Sequence, residues 1–282
     1  FKQKTAYEIG VRLVGSEMCI RDRFALDLAD AADEISMRYY RNTVDIEQKT
    51  DGSLVTNADR DIEEYISSQI AVRFPQHDIL GEEQGVKSST IGDGKSRWII
   101  DPIDGTHGFA RCLPVWATLI ALEHDGMIEV GVASAPALGM RWWAKRGQGA
   151  YRRNLNQKAG EIDQIQVSTI TNIEEAQTLY GAYGMTTNAW QGADTVLRRS
   201  WRSRGFGDFW GHCLVAEGSA ELMLDPICSS WDLAALFVIV EEAGGQMPDI
   251  NGRAVFNAGH AITSNGLVHK EVLEVLQVPK DG

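Results

Sequence analysis

Residues 98–106 read WIIDPIDGT, a short apolar run that ends in two carboxylates three positions apart. The apolar part of this segment predicts a buried strand, and Pro102 favours an extended backbone at Asp101. Asp101 and Asp104 would then lie at the carboxyl edge of a sheet. Two carboxylates in one turn converge readily around a cation, and Mg²⁺ prefers hard oxygen ligands. The segment therefore predicts a Mg²⁺ site, with a solvated acidic turn as the alternative.

The periodicity of apolar residues around this segment predicts a helix pair packed on a sheet. Apolar residues recur every three to four positions over residues 24–39 and 58–73, a pattern typical of amphipathic helices, and Thr56 or Asn57 can cap the second of them. Apolar runs follow at 115–124 and 127–134, separated by the hairpin signal Asp125-Gly126. We therefore expect a helix pair and an antiparallel sheet over about residues 24–155.

The remainder of the chain, about residues 156–282, alternates between strand-like and helix-like segments. Short apolar runs such as 177–181 and 261–264 are separated by helical patterns such as 193–199 and 233–243. Alternation of this kind favours a layered α/β half. No linker rich in Pro or Ser separates it from the first half, so we expect residues 24–282 to form one domain.

Composition excludes several classes of protein. The 282 residues include 27 Lys and Arg against 39 Asp and Glu, a net charge of −12, whereas nucleic-acid binders usually carry the opposite sign. No uninterrupted apolar run approaches the ~18 residues of a membrane-spanning helix. The four cysteines form no C-x-x-C pair and are too few for a disulfide scaffold, which favours reduced thiols in the cytoplasm.

Residues 1–23 differ from the rest of the sequence. They carry five basic and three acidic side chains, and they lack the ordered regions of a signal peptide. We expect this segment to be a non-native or dispensable extension. An ordinary N-terminal helix is the alternative.

Four further acidic residues stand where strands end or helices begin. Glu82 and Glu83 follow a short apolar strand, whereas Asp59 and Asp232 lie at predicted helix starts. Alone, the first two describe an exposed turn, and the second two are acids that the helix dipole favours. Together with the two aspartates of residues 98–106, they supply the carboxylates that a phosphatase with several Mg²⁺ ions needs.

With these motifs in order, the chain resembles the inositol monophosphatase superfamily of Mg²⁺-dependent phosphatases from about Phe24 to its end. Within it, the chain is most similar to the bacterial histidinol-phosphatase branch. His107-Gly108 departs from the Lys-Asn or Lys-Ser pair common there, which bears on the substrate and not on the chemistry. The superfamily motifs are GEE at 81–83, WIIDPIDGT at 98–106, WDLAA at 231–235 and EAGG at 242–245, and the branch-specific ones are PVWATLIALE at 114–123, SAPALGMRWWA at 134–144 and RGFGDFW at 204–210.

The resemblance implies an α/β fold, a layered α-β-α-β-α sandwich of the inositol monophosphatase and fructose bisphosphatase type, with two or three Mg²⁺ ions. It assigns one ion to Glu82, Asp101 and the Ile103 carbonyl, and a second to Asp101, Asp104 and Asp232. Catalysis would fall to Asp59 and Thr106, which orient and deprotonate the attacking water, together with Glu82. The backbone N–H groups of Gly105 and Thr106 would face the phosphate, and Asp225 and Asp208 would bind the rest of the substrate.

The activity that the resemblance implies is hydrolysis of L-histidinol phosphate, in a cytoplasmic homodimer that binds neither nucleic acid nor membrane. Inositol monophosphate or another small phosphate monoester is the alternative substrate, and a catalytically silent relative that binds phosphate or a partner protein is the alternative class. For Asp208 the simpler interpretation is a cap on a helix from Phe209. For Asp225 it is a strand-end acid beside Pro226.

Overall fold

Two helices and a small hairpin open the chain. The computed structural model describes residues 18–42, 44–50, 52–92, 94–157 and 161–277. Helix α1 spans Met18–Tyr39 and α2 spans Asn57–Arg73, with strands β1 (Ile46–Gln48) and β2 (Leu54–Thr56) between them. Thr56 caps α2, because its hydroxyl accepts a hydrogen bond from the backbone N–H of Ala58. This is one of the two caps that the sequence suggests.

An eight-stranded sheet follows, in the order β10-β9-β8-β7-β6-β5-β3-β4. Only the pair β3–β5 is parallel, and the predicted hairpin at Asp125-Gly126 joins β6 to β7. The predicted antiparallel sheet is therefore confirmed, with one parallel pair added. Its strands are β3 (Asp78–Gly81), β4 (Gly85–Lys87), β5 (Ser96–Asp104), β6 (Ala117–His124), β7 (Met127–Ala135), β8 (Met140–Lys145), β9 (Ala150–Asn154) and β10 (Ile162–Ile165), and the short helix α3 (Thr106–Ala110) follows β5.

The second half contains a four-stranded sheet in the order β12-β11-β13-β14, of which only β13–β14 is antiparallel. The predicted alternation of strands and helices is confirmed here. The sequence pattern missed β10 and α4; α4 has seven residues, includes Gly184, Thr186 and Thr187, and so carries weak helical propensity. The elements are a 3₁₀ turn (Ile173–Glu175), β11 (Gln177–Tyr180), α4 (Tyr183–Ala189), α5 (Ala193–Arg199), β12 (Arg202–Arg204), α6 (Asp208–Ala216), β13 (Leu222–Asp225), α7 (Ser230–Glu242), β14 (Ala261–Ser264) and α8 (His269–Leu276).

The burial pattern of β5 shows how the layers stack. Ile99 packs in one apolar cluster with α6 and α7, whereas Trp98 and Ile100 pack in another with α1 and α2. Successive side chains of a strand point to opposite faces, so the large sheet is covered on both sides. Helix α6 also packs against the second sheet, whose other face is covered by α5 and α8. The predicted α-β-α-β-α sandwich is confirmed.

The start of α1 lies before the boundary that the sequence suggests. The helix begins at Met18, six residues before Phe24, and Asp22 forms an ion pair with Lys145 of β8 at 3.2 Å. Lys145 is a buried lysine with only 6% of its side chain exposed, so the carboxylate of Asp22 balances its charge. Residues 1–17 lie outside the described residues, and their dispensability stays a prediction.

Deleting residues 1–17 is expected to leave the melting temperature unchanged, whereas deleting residues 1–23 is expected to lower it. The longer deletion removes Asp22 and leaves the buried ammonium of Lys145 without its carboxylate, at a cost of about 1–3 kcal/mol. A loss of that size lowers the Tm by several degrees in a protein of this length. Calorimetry of the two truncated proteins checks this, and Asp22→Ala in the full chain is the matched control. Equal Tm values for the two truncated proteins and Asp22→Ala would contradict a stabilising role of the ion pair between Asp22 and Lys145.

No helix among the residues that the structure describes combines the length and the apolar character needed to cross a membrane.

Candidate active site

Three aspartates converge where β5 ends and α7 begins. One carboxylate oxygen from each of Asp101, Asp104 and Asp232 lies within 4.8 Å of the other two. Residues three apart in a regular strand face opposite sides of the sheet. The pairing of β5 with β6 shifts register between Asp101 and Asp104, where Pro102 lacks an N–H donor. This irregularity lets both carboxylates face the same recess, as the sequence predicts.

Asp232 and Asp59 each hold the third position of a helical capping box, which fixes one of their oxygens. Ser229 donates its backbone N–H to Oδ2 of Asp232 at 2.7 Å. Thr56 donates its backbone N–H and its hydroxyl to Oδ2 of Asp59, at 2.8 and 2.6 Å. Oδ1 of Asp59 is buried and, within the described ranges, has no hydrogen-bond partner. Capping thus orients both side chains and leaves a second oxygen for other ligands.

The electrostatics of this recess favour a cation. Burial raises the pKa of Asp101 well above its usual value, and the charges of Glu82, Asp104, Asp232 and Asp59 raise it further. Burial also raises the pKa of Asp59 and of Asp232 to about 7. Oδ1 of Asp101 is a second buried oxygen without a hydrogen-bond partner among the described residues. Crowded carboxylates with unpartnered oxygens fit hard divalent cations such as Mg²⁺.

Glu82 reaches the edge of the recess from the turn after β3, and other residues hold that turn. Its backbone N–H donates to the Ile100 carbonyl at 3.2 Å, and its carboxylate accepts a hydrogen bond from Lys49 at 2.8 Å. The buried carboxylate of Glu63 accepts the backbone N–H groups of Glu83 and Gln84, at 2.8 Å each. Lys49 and Glu63 were missing from the predicted site. Glu63 could have been found, because it is an acid on the apolar face of α2.

Gly105 and Thr106 lie on the other side of the aspartates, at the start of α3. Gly105 has a φ of +86°, and a Cβ there would lie 3.0 Å from the Val115 carbonyl oxygen, so the turn requires glycine. The Thr106 hydroxyl donates to the Ile103 carbonyl at 2.9 Å. In the part of the chain that the structure describes, no hydrogen bond joins Thr106 directly to Asp59. Their proposed arrangement about a shared water molecule stays a prediction.

Asp208 and Asp225 form a second acidic group beside the first. Helix α6 begins at Asp208 itself, after Gly207, so the interpretation of Asp208 as the helix cap is wrong. Asp208 is exposed. Even so, the surrounding protein partly desolvates its carboxyl group and raises its pKa, and the charge of Asp225 raises this pKa further. The charges of His212 and His107 lower the pKa of Asp208, so His107, where the sequence departs from its relatives, lies near this group.

Asp104 connects the two acidic groups. Its Oδ2 accepts the backbone N–H of Phe209 at 2.6 Å, at the start of α6. Burial raises the pKa of Asp104 well above its usual value, and the charges of Asp208 and Asp232 raise it further. The three aspartates suited to bind metal thus lie on one side of the recess, and the carboxylates of Asp208 and Asp225 lie on the other.

The chain is similar to known proteins over most of its length. A sequence model of the inositol monophosphatase family matches residues 21–278. A histidinol-phosphatase of Mycobacterium tuberculosis is 41% identical over 256 residues, which are 88% of this chain and 95% of the relative. One of Streptomyces coelicolor is 40% identical over 259 residues, which are 90% of this chain and 96% of the relative.

The solved structure of an IMPase from Thermotoga maritima aligns with a TM-score of 0.80 at 31% identity, and the alignment covers 91% of this chain and 96% of that one. The matches extend over most of the chain and share its layered architecture. The chain belongs to the inositol monophosphatase family.

Proposed function

We propose that this protein is a Mg²⁺-dependent phosphatase that hydrolyses L-histidinol phosphate to L-histidinol and phosphate, a step of histidine biosynthesis. The observation that carries the chemistry is the convergence of Asp101, Asp104 and Asp232 in one recess. The substrate follows from the identity of about 40% to two histidinol-phosphatases. It also agrees with the carboxylates of Asp208 and Asp225 beside the cluster, since histidinol phosphate carries an ammonium group.

Metal ions would be held by Glu82, Asp101, the carbonyl of Ile103, Asp104 and Asp232, and we propose two or three of them. Mg²⁺ in such a site supplies the positive charge that binds the phosphate and stabilises the leaving oxygen. The backbone N–H groups of Gly105 and Thr106 would bind the phosphate from the opposite side.

Asp59 and Thr106 are suited to orient the attacking water. The Thr106 hydroxyl donates its hydrogen bond to the Ile103 carbonyl, so its lone pairs remain available as acceptors. Oδ1 of Asp59 is a second acceptor, because Thr56 occupies only Oδ2. Two acceptors can bind both protons of one water and direct its lone pair at phosphorus. Asp59, with a pKa raised to about 7, is placed to take the proton.

The remaining expectations complete the proposal. Residues 24–282 would form the single phosphatase domain, and residues 18–23, the first six residues of α1, would add to its stability. The working form would be a cytoplasmic homodimer with a small phosphate monoester as its substrate.

Release of phosphate from three substrates tests the proposed function. We expect Mg²⁺-dependent hydrolysis, abolished by EDTA, with kcat/KM at least about tenfold higher on histidinol phosphate than on inositol 1-phosphate. A desolvated contact between an ammonium and a carboxylate is of the size that gives this ratio. p-Nitrophenyl phosphate serves as the substrate without an ammonium group. A preference for inositol 1-phosphate would overturn the substrate, and absence of any hydrolysis would favour a silent relative.

A further inference from the structure

We infer that His212 and Thr263 are positioning residues, which hold the carboxylate of Asp225 ready for a cationic group on the substrate. The inference rests on the proposed function, in which Asp225 contacts the substrate. It adds two buried residues that neither the sequence motifs nor the metal cluster single out.

A chain of hydrogen bonds connects three elements behind Asp225. His212 of α6 is buried, with Nδ1 2.7 Å from the hydroxyl of Thr263 in β14 and Nε2 3.3 Å from Oδ2 of Asp225 at the end of β13. An ionised carboxylate only accepts hydrogen bonds, so Nε2 carries a proton. Nδ1 forms the second hydrogen bond of the ring, with the Thr263 hydroxyl. The two hydrogen bonds thus fix the ring of His212 and the orientation of the Asp225 carboxylate.

The sheet register supports this arrangement. Met223 pairs with Thr263 and Asp225 pairs with Ala261 in the antiparallel ladder of β13 and β14. Met223 and Asp225 are two residues apart, so their side chains share the face of the sheet that α6 covers. Thr263 is fully buried on that face. Its hydroxyl is therefore held at a fixed position by two strands.

His212 also lies near the carboxylates that would recognise the substrate. It lies four residues after Asp208, in the same helix. His212 donates a hydrogen bond to the side chain of Asp225, whereas the Cys228 thiol, which bonds to the backbone carbonyl of Asp225, also lies close to its carboxylate. About 20% of the Asp225 side chain stays exposed, which leaves room for a ligand. Two neighbouring carboxylates outside the metal cluster favour a cationic group.

Two amide substitutions separate the two contacts of His212. The side-chain nitrogen of His212→Gln can reach the place of Nε2 and still donate to Asp225, whereas His212→Asn reaches only the place of Nδ1. We expect His212→Asn to raise KM for histidinol phosphate about tenfold, the scale of a lost hydrogen bond to a charged group. The rise on p-nitrophenyl phosphate should be clearly smaller. His212→Gln should restore most of the preference, and Thr263→Val should give a partial loss. Asp225→Ala removes the carboxylate itself, so we expect it to lose the most preference for histidinol phosphate among these variants.

His269 offers a matched control. It is also a buried histidine, and its Nδ1 lies 2.9 Å from the hydroxyl of Ser264 in the same strand, β14. His269→Asn should therefore leave the ratio of kcat/KM on the two substrates unchanged. Thermal melting curves of all variants show whether a loss of activity comes from a loss of folding stability.

The outcomes separate this inference from the proposed function. Equal losses on both substrates in His212→Asn, or a His212→Gln variant no better than His212→Asn, would overturn the positioning role alone. A wild-type enzyme without a preference for histidinol phosphate would overturn the proposed function itself.

Discussion

Asp101→Asn is expected to reduce Mg²⁺-dependent phosphatase activity by about 10³-fold or more while the protein stays folded. Asp101 is the most buried member of the aspartate cluster, and it would be shared between two ions. The amide keeps the shape of the side chain and removes one of the charges that hold the metal. Isothermal titration calorimetry should show much weaker Mg²⁺ binding. Unchanged Mg²⁺ affinity in this variant would contradict the assignment of the ligand.

The same substitution is expected to stabilise the metal-free protein at neutral pH. The folded-state pKa values of Asp101, Asp104 and Asp232 lie above the usual value of 3.8, so the folded state binds more protons than the unfolded chain above that pH. The contribution of these three groups to the free energy of unfolding therefore falls as the pH rises from about 4 to about 7, the pKa of Asp232. Removing one carboxylate weakens the mutual repulsion and should raise the metal-free Tm by a few degrees.

A matched control separates the cluster from a general effect of charge. Asp27 is exposed on α1, so Asp27→Asn changes the net charge equally and should leave activity, Mg²⁺ binding and metal-free Tm unchanged. Melting curves with EDTA between pH 4 and pH 8 measure the effect. Added Mg²⁺ should raise the Tm of the wild-type protein and not that of Asp101→Asn. If the metal-free Tm of Asp101→Asn loses its advantage over the wild type as the pH rises from 4 to 7, the sign of these pKa shifts is wrong.

Local sequence was sufficient to predict most elements and the acidic residues. An apolar run that stops at Asp101 and the capping residue before Asp59 are local signals, and each holds in the structure. Local periodicity predicted the helix pair on an antiparallel sheet and the layered α/β half, because each strand and helix must bury its apolar face. The family resemblance added the five-layer order and the roles of these residues.

The contacts that assemble the site could not be derived from local pattern. The register shift that turns Asp101 and Asp104 to one side depends on the pairing of β5 with β6. The hydrogen bonds of Glu63 could not be derived either, because their donors are backbone N–H groups of a turn distant in sequence. His212 bonds to two strands that follow it in sequence. Such contacts depend on how the sheets pack, and propensity carries no information about packing.

Thr106→Ala is expected to lower kcat by about 10²-fold or more and to leave Mg²⁺ binding intact, the scale for loss of a positioned proton-transfer partner. The hydroxyl donates to the Ile103 carbonyl at 2.9 Å, so it can act toward water only as an acceptor. The substitution removes that acceptor and leaves every carboxylate of the cluster in place. Steady-state kinetics at saturating Mg²⁺, together with calorimetry, measure the two effects separately.

Two further substitutions at the same position make the result specific to the hydroxyl. Thr106→Ser keeps the oxygen and should retain most of kcat, whereas Thr106→Val keeps the shape and should lose as much as Thr106→Ala. Because the hydroxyl also holds the Ile103 carbonyl, a role through the metal would appear as weaker Mg²⁺ binding in both Val and Ala variants. Intact Mg²⁺ binding with a low kcat would show that the Thr106 hydroxyl binds the attacking water. The backbone N–H of residue 106, which would bind the phosphate, is the same in all these variants. A Thr106→Val enzyme with wild-type kcat would rule out that role and leave Asp59 as the only acceptor for the attacking water.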